Sequence, residues 1–324
     1  MGWWDRLAAQ RAGWQPTLPE AEAAKFPSPL APPPSRRTLP PMRLVSFGEP
    51  GSERPGLLVD QAIVPLHELA PDAPRSARAL LAAGLATFAP ALAAYRGPRL
   101  SVDGVRLGPP VPDAGKIICI GLNYKDHARE QDKPWPLEPL LFCKTPNTLA
   151  GPHDAIRHPA GDVFLDYEVE LAVVIAQRAR GVSASDAPAH IAGYMVANDV
   201  SARRWQRGDG QWYRGKSCDT FLPCGPALVT PDELPPVAQL RLTTTVDGEV
   251  LQDALAAELI HDIPALIAYI SRDITLEPGD IISTGTPAGV GTFRTPPRAL
   301  AVGSLVVCAI DGLGELRNRV AGPI

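Results

Sequence analysis

The most informative pattern of polar and apolar positions begins at Asp166, after a run of short apolar stretches broken by glycine and proline. From Asp166 to Ile175, aromatic and β-branched residues predominate, which favours a β-strand. Because side chains alternate between the two faces of a strand, Asp166, Glu168 and Glu170 are expected to lie on one side. The following residues 172–176 are all apolar, as in a strand buried on both faces. Buried acids need a partner. A hard divalent cation is one possibility, and a solvated edge strand is the alternative reading.

The rest of the pattern predicts an α+β fold made of many short strands and few helices. Alternating apolar residues around Asp60-Gln61 and Asp247-Gly248 indicate two hairpins. The alanine-rich residues 76–96 favour a helix, and Asp262 is placed to cap a second one, with Pro264 in its first turn. The apolar residues of this second helix follow helical spacing, which indicates a core element.

Changes in composition divide the chain into three segments. Residues 1–41 form a Pro/Trp-rich N-terminal extension, whose prolines favour an extended tether. Its tryptophans predict that the segment docks somewhere, since aromatic area is costly to leave in water. Residues 42–112 are predicted to form a small N-terminal α+β domain, and residues 113–324 a larger catalytic domain.

Bulk composition excludes several classes of protein. Of the 324 residues, 45% are hydrophobic and 20% are charged, which is typical of a soluble globular protein. A net charge of −4 and the lack of a Lys/Arg run predict no nucleic-acid partner. No apolar window approaches the length of a membrane helix, and no targeting segment stands out. The five cysteines are odd in number and form no Cys-x-x-Cys pair, so free thiols in the cytoplasm are expected.

Four further features carry candidate chemistry. His127 and Glu130 are three residues apart, so on a helix the carboxylate could orient the imidazole as a base; an exposed helix start is the alternative. Asp199 follows an apolar strand and is a candidate third oxygen ligand. Lys216, flanked by small residues, could present a positive charge to an anionic substrate, although a lone lysine is more often at the surface. The Gly/Thr-rich residues 284–291 offer N–H groups and hydroxyls to carboxylate oxygens.

Six motifs in series resemble the fumarylacetoacetate hydrolase family, in particular its acylpyruvate hydrolase and 2-hydroxyhepta-2,4-diene-1,7-dioate isomerase branch. The resemblance covers about residues 112–322. The motifs are Gly121-Leu122-Asn123-Tyr124 with His127 and Glu130, Glu168-Val169-Glu170-Leu171, Asn198-Asp199-Val200-Ser201-Ala202-Arg203, Trp205-Gln206, Gly215-Lys216-Ser217, and Gly279-Asp280-Ile281-Ile282-Ser283-Thr284-Gly285-Thr286-Pro287.

The resemblance implies a mixed β-sandwich or partly open β-barrel roll, a Mg²⁺ or Mn²⁺ ion, and a homodimer. It also implies a role for each matching residue. The metal ligands are Glu168, Glu170 and Asp199; the catalytic residues are His127 and Glu130, as a water-activating dyad on a flap, with Lys216 as oxyanion or carboxylate partner; the substrate-binding residues are Arg203, Gln206 and Thr286.

The activity expected from the resemblance is hydrolysis of a C–C bond in an acylpyruvate or related 2,4-diketo acid, with release of pyruvate. One alternative is an isomerase or decarboxylase acting on a 2-oxo or 2-hydroxydienoate diacid of aromatic catabolism. Another is a lyase or dehydratase acting on a sugar-derived or ureido acid. A metal- and carboxylate-binding protein without turnover is a further alternative, against which the retained dyad argues. Three sites depart from the family pattern: Arg204, Cys218 and Ala254-Leu255-Ala256.

Overall fold

A computed structural model describes residues 42–323, so the extension predicted for residues 1–41 lies outside the described residues. Short strands dominate the fold, as the hydrophobic pattern predicts. The strands are β1 (Arg43–Phe47), β2 (Arg54–Val59), β3 (Ala62–Pro65), β4 (Leu100–Ser101), β5 (Leu107–Gly108), β6 (Ile117–Gly121), β7 (Leu140–Lys144), β8 (Leu149–Ala150), β9 (Ile156–Arg157), β10 (Leu165–Asp166), β11 (Val169–Ile175), β12 (Ile191–Asn198), β13 (Ser201–Ala202), β14 (Leu222–Val229), β15 (Arg241–Val246), β16 (Glu249–Leu255), β17 (Ile281–Ser283), β18 (Leu305–Ile310) and β19 (Gly314–Ala321).

The helices are short, with one exception. They are α1 (Leu66–Leu69), α2 (Ala77–Ala83), α3 (Ala89–Ala94), α4 (Lys125–Glu130), α5 (Arg203–Gly208), α6 (Tyr213–Lys216) and α7 (Ile263–Asp273). The helix predicted over residues 76–96 is divided, because Gly84 ends α2 with a φ of 84°. The longest helix, α7, begins as predicted: the Asp262 carboxylate accepts a hydrogen bond from the Ala265 N–H.

Within residues 42–323, no single helix is long and apolar enough to cross a membrane. The segments Ala77–Ala83 and Leu85–Ala94 reach that length and composition only when they are counted together, and they meet at a bend of 83°.

Most strands join one large sheet. Its order is β4-β3-β2-β1-β14-β12-β11-β17-β6-β7, with β5 beside β1 and β8 beside β14. A five-stranded sheet has the order β16-β15-β18-β19-β9, and β10 pairs with β13. The large sheet is mixed, because β17 runs parallel to β6 while most other neighbours are antiparallel. The predicted α+β class is confirmed, and no sheet in the described part of the chain closes into a barrel.

The large sheet continues across the predicted boundary between residues 112 and 113. Strand β1 pairs with β14 in antiparallel register, with Arg43 opposite Val229 and Leu44 opposite Leu228. All of residues 42–323 belong to one compact unit. The division into a small and a larger domain stays a prediction, and the backbone hydrogen bonding is shared between its two parts.

Strand β11 lies between two apolar clusters. Val169, Leu171, Val173 and Ile175 pack into one cluster, and Ala172 and Val174 pack into the other. Every residue of β11 is buried, so the reading as a solvated edge strand is wrong. The acidic residues at its start are held inside the protein.

Candidate active site

Three carboxylates meet where β11 begins and β12 ends. The antiparallel register sets Val169 opposite Asn198, which brings the flanking Glu168 and Asp199 together. The Asp199 N–H donates to the Glu168 carbonyl oxygen over 2.8 Å. Glu170 completes the group: one carboxylate oxygen from each residue lies within 4.8 Å of the others, and all three side chains are buried.

Asp166 does not join this cluster, contrary to the alternation expected from the sequence. The strand is interrupted between β10, which ends at Asp166, and β11, which begins at Val169. The Asp166 carboxylate instead accepts hydrogen bonds from Arg203 Nε and from the N–H groups of Tyr167, Gly291 and Thr292. It therefore anchors a loop and an arginine.

Two lysines and an arginine balance the carboxylates. Lys216 Nζ bridges Glu168 and Asp199, over 2.6 Å and 2.7 Å. Arg203 Nη2 donates to the other oxygen of Glu168 over 2.6 Å. Lys144, at the end of β7, donates to Asp199 over 2.5 Å. Sequence reasoning missed Lys144; the available signal was a lysine that ends the otherwise apolar run 140–143.

These contacts shift the ionisation of the site. Burial favours the neutral form of Glu168, but Arg203 and Lys216 outweigh it and hold its pKa well below the usual range. Burial likewise opposes the charge on Lys216, yet Asp199 and Glu168 raise its pKa. Glu170 differs, because burial and repulsion by Asp199 and Glu168 raise its pKa well above 4.5.

The hydrogen bonds of Glu170 leave this cluster with the donor set and charge that suit a divalent metal ion. Its carboxylate accepts from Ser283 Oγ over 2.6 Å and from the Gly285 N–H over 3.0 Å, both neutral donors. A buried carboxylate beside two others, without a cationic hydrogen-bond donor, is an environment that a divalent cation would neutralise. The donor set is entirely carboxylate oxygen, which suits hard ions of the Mg²⁺ and Mn²⁺ type.

The His127–Glu130 pair lies on α4, three residues apart as predicted. His127 Nδ1 is 2.5 Å from Glu130 Oε1, and the ring is buried. The second oxygen of Glu130 accepts from the Gly289 N–H over 3.0 Å. A protonated His127 would lower the pKa of Glu168, so the ring and the carboxylate cluster share one electrostatic environment. The alternative of an exposed helix start does not apply.

The predicted substrate-binding residues are already engaged with protein groups. Arg203 bonds to Asp166 and Glu168, and its Nη1 donates to Gln206 Oε1 over 3.1 Å. Thr286 Oγ1 accepts from Gln252 Nε2 over 2.8 Å. Arg203 is therefore close to the cluster, and the contact of these three residues with substrate stays a prediction.

Gln252 is a second residue that sequence reasoning did not select. Its buried amide also bonds to the Val169 N–H, to Thr244 Oγ1 and to the Pro287 carbonyl, so it ties the start of β11 to the Gly/Thr-rich loop. The segment Ala254-Leu255-Ala256, which departs from the family pattern, follows Gln252 after one residue. Ala256 packs into the core and Leu255 is exposed, so the departure lies at the end of β16, beyond the amide.

Comparison with known proteins now gives the family. A family model described as fumarylacetoacetate (FAA) hydrolase C-terminal matches residues 116–321. The chain belongs to the fumarylacetoacetate hydrolase family. It is therefore an enzyme of this family, as expected.

Members of the fumarylacetoacetate hydrolase family that are named for different reactions resemble this chain. Oxaloacetate tautomerase FAHD2A, mitochondrial, of Bos taurus is 42% identical over 287 residues, covering 86% of this chain and 91% of that protein. The structure of 2-hydroxyhepta-2,4-diene-1,7-dioate isomerase from Mycobacterium marinum has 34% identity and a TM-score of 0.68, covering 87% of this chain and 98% of that one. Maleylpyruvate hydrolase from Sphingobium sp. SYK-6, in complex with manganese(II) and pyruvate, has 29% identity and a TM-score of 0.74, covering 87% and 100%.

Proposed function

We propose that this enzyme interconverts the keto and enol forms of a 2-oxo diacid of the oxaloacetate type. The observation that carries the proposal is the buried His127–Glu130 pair, 2.5 Å apart, next to a cluster of carboxylates and lysines. A histidine oriented by a carboxylate can move a proton, and a lysine of the cluster can hold the enolate formed when it does so. The 42% identity to an oxaloacetate tautomerase supports placing tautomerisation before the other candidate reactions.

Substrate binding would use the cluster and Lys216. Glu168, Glu170 and Asp199 would hold a Mg²⁺ or Mn²⁺ ion, which when bound supplies Lewis-acid polarisation of a 2-oxo acid. Lys216 uses two N–H groups for Glu168 and Asp199. Its ammonium has three donors, so in this proposal the third serves a substrate oxygen.

The proton transfer follows from the orientation of the ring. Glu130 accepts the Nδ1 hydrogen, which leaves Nε2 of His127 as the base. Nε2 takes a proton from C3 of the keto acid, the C–H electron pair forms the C2=C3 double bond, and the carbonyl π pair moves onto the C2 oxygen. The proton is then delivered to that oxygen to give the enol, and the reverse sequence regenerates the ketone.

Hydrolysis of an acylpyruvate is the second candidate, supported by the similarity to maleylpyruvate hydrolase. Here a water gives its proton to His127 and bonds to C4 through oxygen. The C3–C4 electron pair becomes the pyruvate enolate, and the proton returns to C3, so that pyruvate and a second carboxylic acid are the products. Both candidates pass through the enolate of a 2-oxo acid, and they differ in whether water enters.

The two candidates are separated by measuring two products in one preparation. Loss of enol absorbance of oxaloacetate, above the spontaneous rate, reports tautomerisation, and pyruvate released from an acylpyruvate panel reports hydrolysis. We expect metal-dependent tautomerisation that EDTA abolishes. Pyruvate from oxaloacetate itself would indicate decarboxylation instead, and no catalysed enol loss would refute the first proposal.

Variants of His127 test its role. His127→Ala is expected to abolish tautomerisation and hydrolysis while largely sparing any decarboxylation, which needs no base at this position. His190→Ala is the matched control, because His190 is a half-buried histidine whose ring contacts the Gln177 carbonyl and none of the candidate site residues. Equal loss of decarboxylation in His127→Ala would contradict the assigned role.

A further inference from the structure

A chain of hydrogen bonds continues beyond the His127–Glu130 pair. His127 Nε2 lies 2.8 Å from Gln131 Nε2, and Gln131 Oε1 lies 3.0 Å from Lys133 Nζ. The nitrogen that the proposed function uses as a base is therefore in contact with a side-chain amide. Gln131 has no role in the proton transfer proposed for His127 and Glu130.

The donors in this chain fix its orientation. Lys133 can only donate, so the Gln131 atom that faces it is the amide oxygen, and the amide NH₂ faces His127. Glu130 accepts from Nδ1, so the neutral ring has its lone pair on Nε2. Gln131 thus donates to the lone pair of the base.

The position of Gln131 is set by the end of α4. Gln131 follows the last helical residue, and the Lys133 N–H returns to the Ala128 carbonyl over 3.0 Å, with Asp132 at a φ of 52°. This helix ending orients the side chain back along the helix toward His127, one turn earlier. Gln131 is half-buried, whereas Lys133 is exposed, so the amide separates the ring from solvent on this side.

Both nitrogens of the His127 ring are therefore occupied by protein groups. Phe293 packs edge-on against the same ring, with 6.0 Å between the ring centres. A general base deprotonates a water only when the water lies within hydrogen-bonding distance of it. At Nε2 that position is filled by the Gln131 amide.

We propose that Gln131 is a specificity-determining residue that keeps the nucleophilic water away from His127. The inference rests on the proposed function, since it concerns which of two reactions His127 promotes, proton transfer at C3 or attack of water at C4. When substrate approaches Nε2, the amide turns aside but stays next to the ring, in the volume from which water would attack C4. Proton transfer with C3 then proceeds, and hydrolysis is suppressed.

Two substitutions at this position separate volume from hydrogen bonding. Gln131→Ala removes the amide and leaves room for a water. Gln131→Leu removes the donor but keeps an apolar group of similar size there. Each purified full-length variant is assayed with Mg²⁺ for enol loss of oxaloacetate and for pyruvate release from acylpyruvate.

We expect Gln131→Ala to raise the ratio of hydrolysis to tautomerisation by about tenfold or more, because water gains access to the base. Gln131→Leu should leave that ratio within about twofold of the wild-type value. Equal ratios in all three proteins would overturn the inference, as would an increase of the same size in Gln131→Leu.

Failure of this inference is distinguishable from failure of the proposed function. A wild-type enzyme that does not catalyse enol loss contradicts the proposed function. An active enzyme whose ratio of hydrolysis to tautomerisation is the same in the Gln131 variants contradicts only the inference. The ¹⁵N shifts of His127 give a readout that does not depend on activity. They should show the Nδ1–H tautomer in both the wild type and Gln131→Leu, because Glu130 holds that proton, and a shifted Nε2 resonance in Gln131→Leu, where the amide donor is lost. An unchanged Nε2 shift would overturn the inference whatever the activity.

Discussion

Replacing Glu170 by glutamine should stabilise the metal-free enzyme. Glutamine can keep the acceptor that Ser283 Oγ and the Gly285 N–H use, and its NH₂ then faces the Glu168 and Asp199 carboxylates. The change removes a charge that lies within 4.8 Å of two like charges. Most substitutions of buried residues destabilise a protein, so a gain would be specific to this electrostatic cause.

The size of the gain follows from the separations. Two unit charges within 4.8 Å of each other repel by about 3.5 kcal/mol or more at an effective dielectric constant of about 20. Lys216 attracts the same carboxylate and offsets part of the two repulsions. We therefore expect a net gain of about 2 kcal/mol in the free energy of unfolding, or an increase in Tm of about 5 °C.

The pH dependence of this gain has a defined sign. The pKa of Glu170 is raised in the folded protein above its ordinary value of 4.5, so between these values the folded state binds more protons than the unfolded state. The stability that Glu170 contributes is present below pH 4.5 and is lost as the pH rises through the raised pKa of Glu170. Glutamine does not titrate. At about pH 4 Glu170 is mostly protonated in both the folded and the unfolded state, so the advantage of Glu170→Gln should be small there. The advantage should be largest above the raised pKa of Glu170.

Thermal unfolding with EDTA and with saturating Mn²⁺ measures both effects. The wild type should gain Tm on adding Mn²⁺, since the ion binds only the folded cluster, and Glu170→Gln should gain much less. A variant that is less stable than the wild type without metal would refute the electrostatic reasoning. Equal stabilisation of both proteins by Mn²⁺ would show that Glu170 is not a ligand.

Three further outcomes are expected. Lys144→Met should cost about 3 kcal/mol of stability in metal-free protein, because it leaves the buried Asp199 with one cation fewer; in urea unfolding, the exposed control Arg241→Met should show no measurable change. Gly289→Ala should reduce His127-dependent turnover by about tenfold or more, since a Cβ at a φ of 102° would overlap the Leu251 carbonyl oxygen and displace the N–H that holds the dyad; steady-state kinetics with unchanged turnover would contradict this. Light scattering of the purified enzyme should give the mass of a homodimer, and a monomer at micromolar concentration would count against that expectation.

Elements whose local signals agree with their environment could be predicted from the sequence. The hairpin around Asp247-Gly248 forms as expected, with a φ of 52° at Asp247, because the turn residues and the flanking alternation favour the same structure. The helix after Asp262 begins at its capping residue for the same reason. The motif residues Glu168, Glu170 and Asp199 also meet in space, although alternation alone would have chosen Asp166 over Asp199.

The parts that sequence reasoning missed depend on long-range contacts. Asp166 leaves the cluster because β10 pairs with β13 rather than continuing into β11, and pairing between distant segments has no local signature. Lys144 and Gln252 are single polar residues in strands, where an exposed position is the usual outcome. Their burial becomes evident only when Asp199 and Thr286 are brought next to them.

The pairing of β1 with β14 has a consequence for how the polypeptide can be shortened. A fragment starting at residue 113 would retain all of the residues proposed for catalysis but would lose the strand that covers one edge of β14. Strand β14 (Leu222–Val229) is almost entirely buried in the intact protein. Its released amide and carbonyl groups would be free to add a strand from another molecule. We therefore expect such a fragment to self-associate, even though its candidate active site is complete.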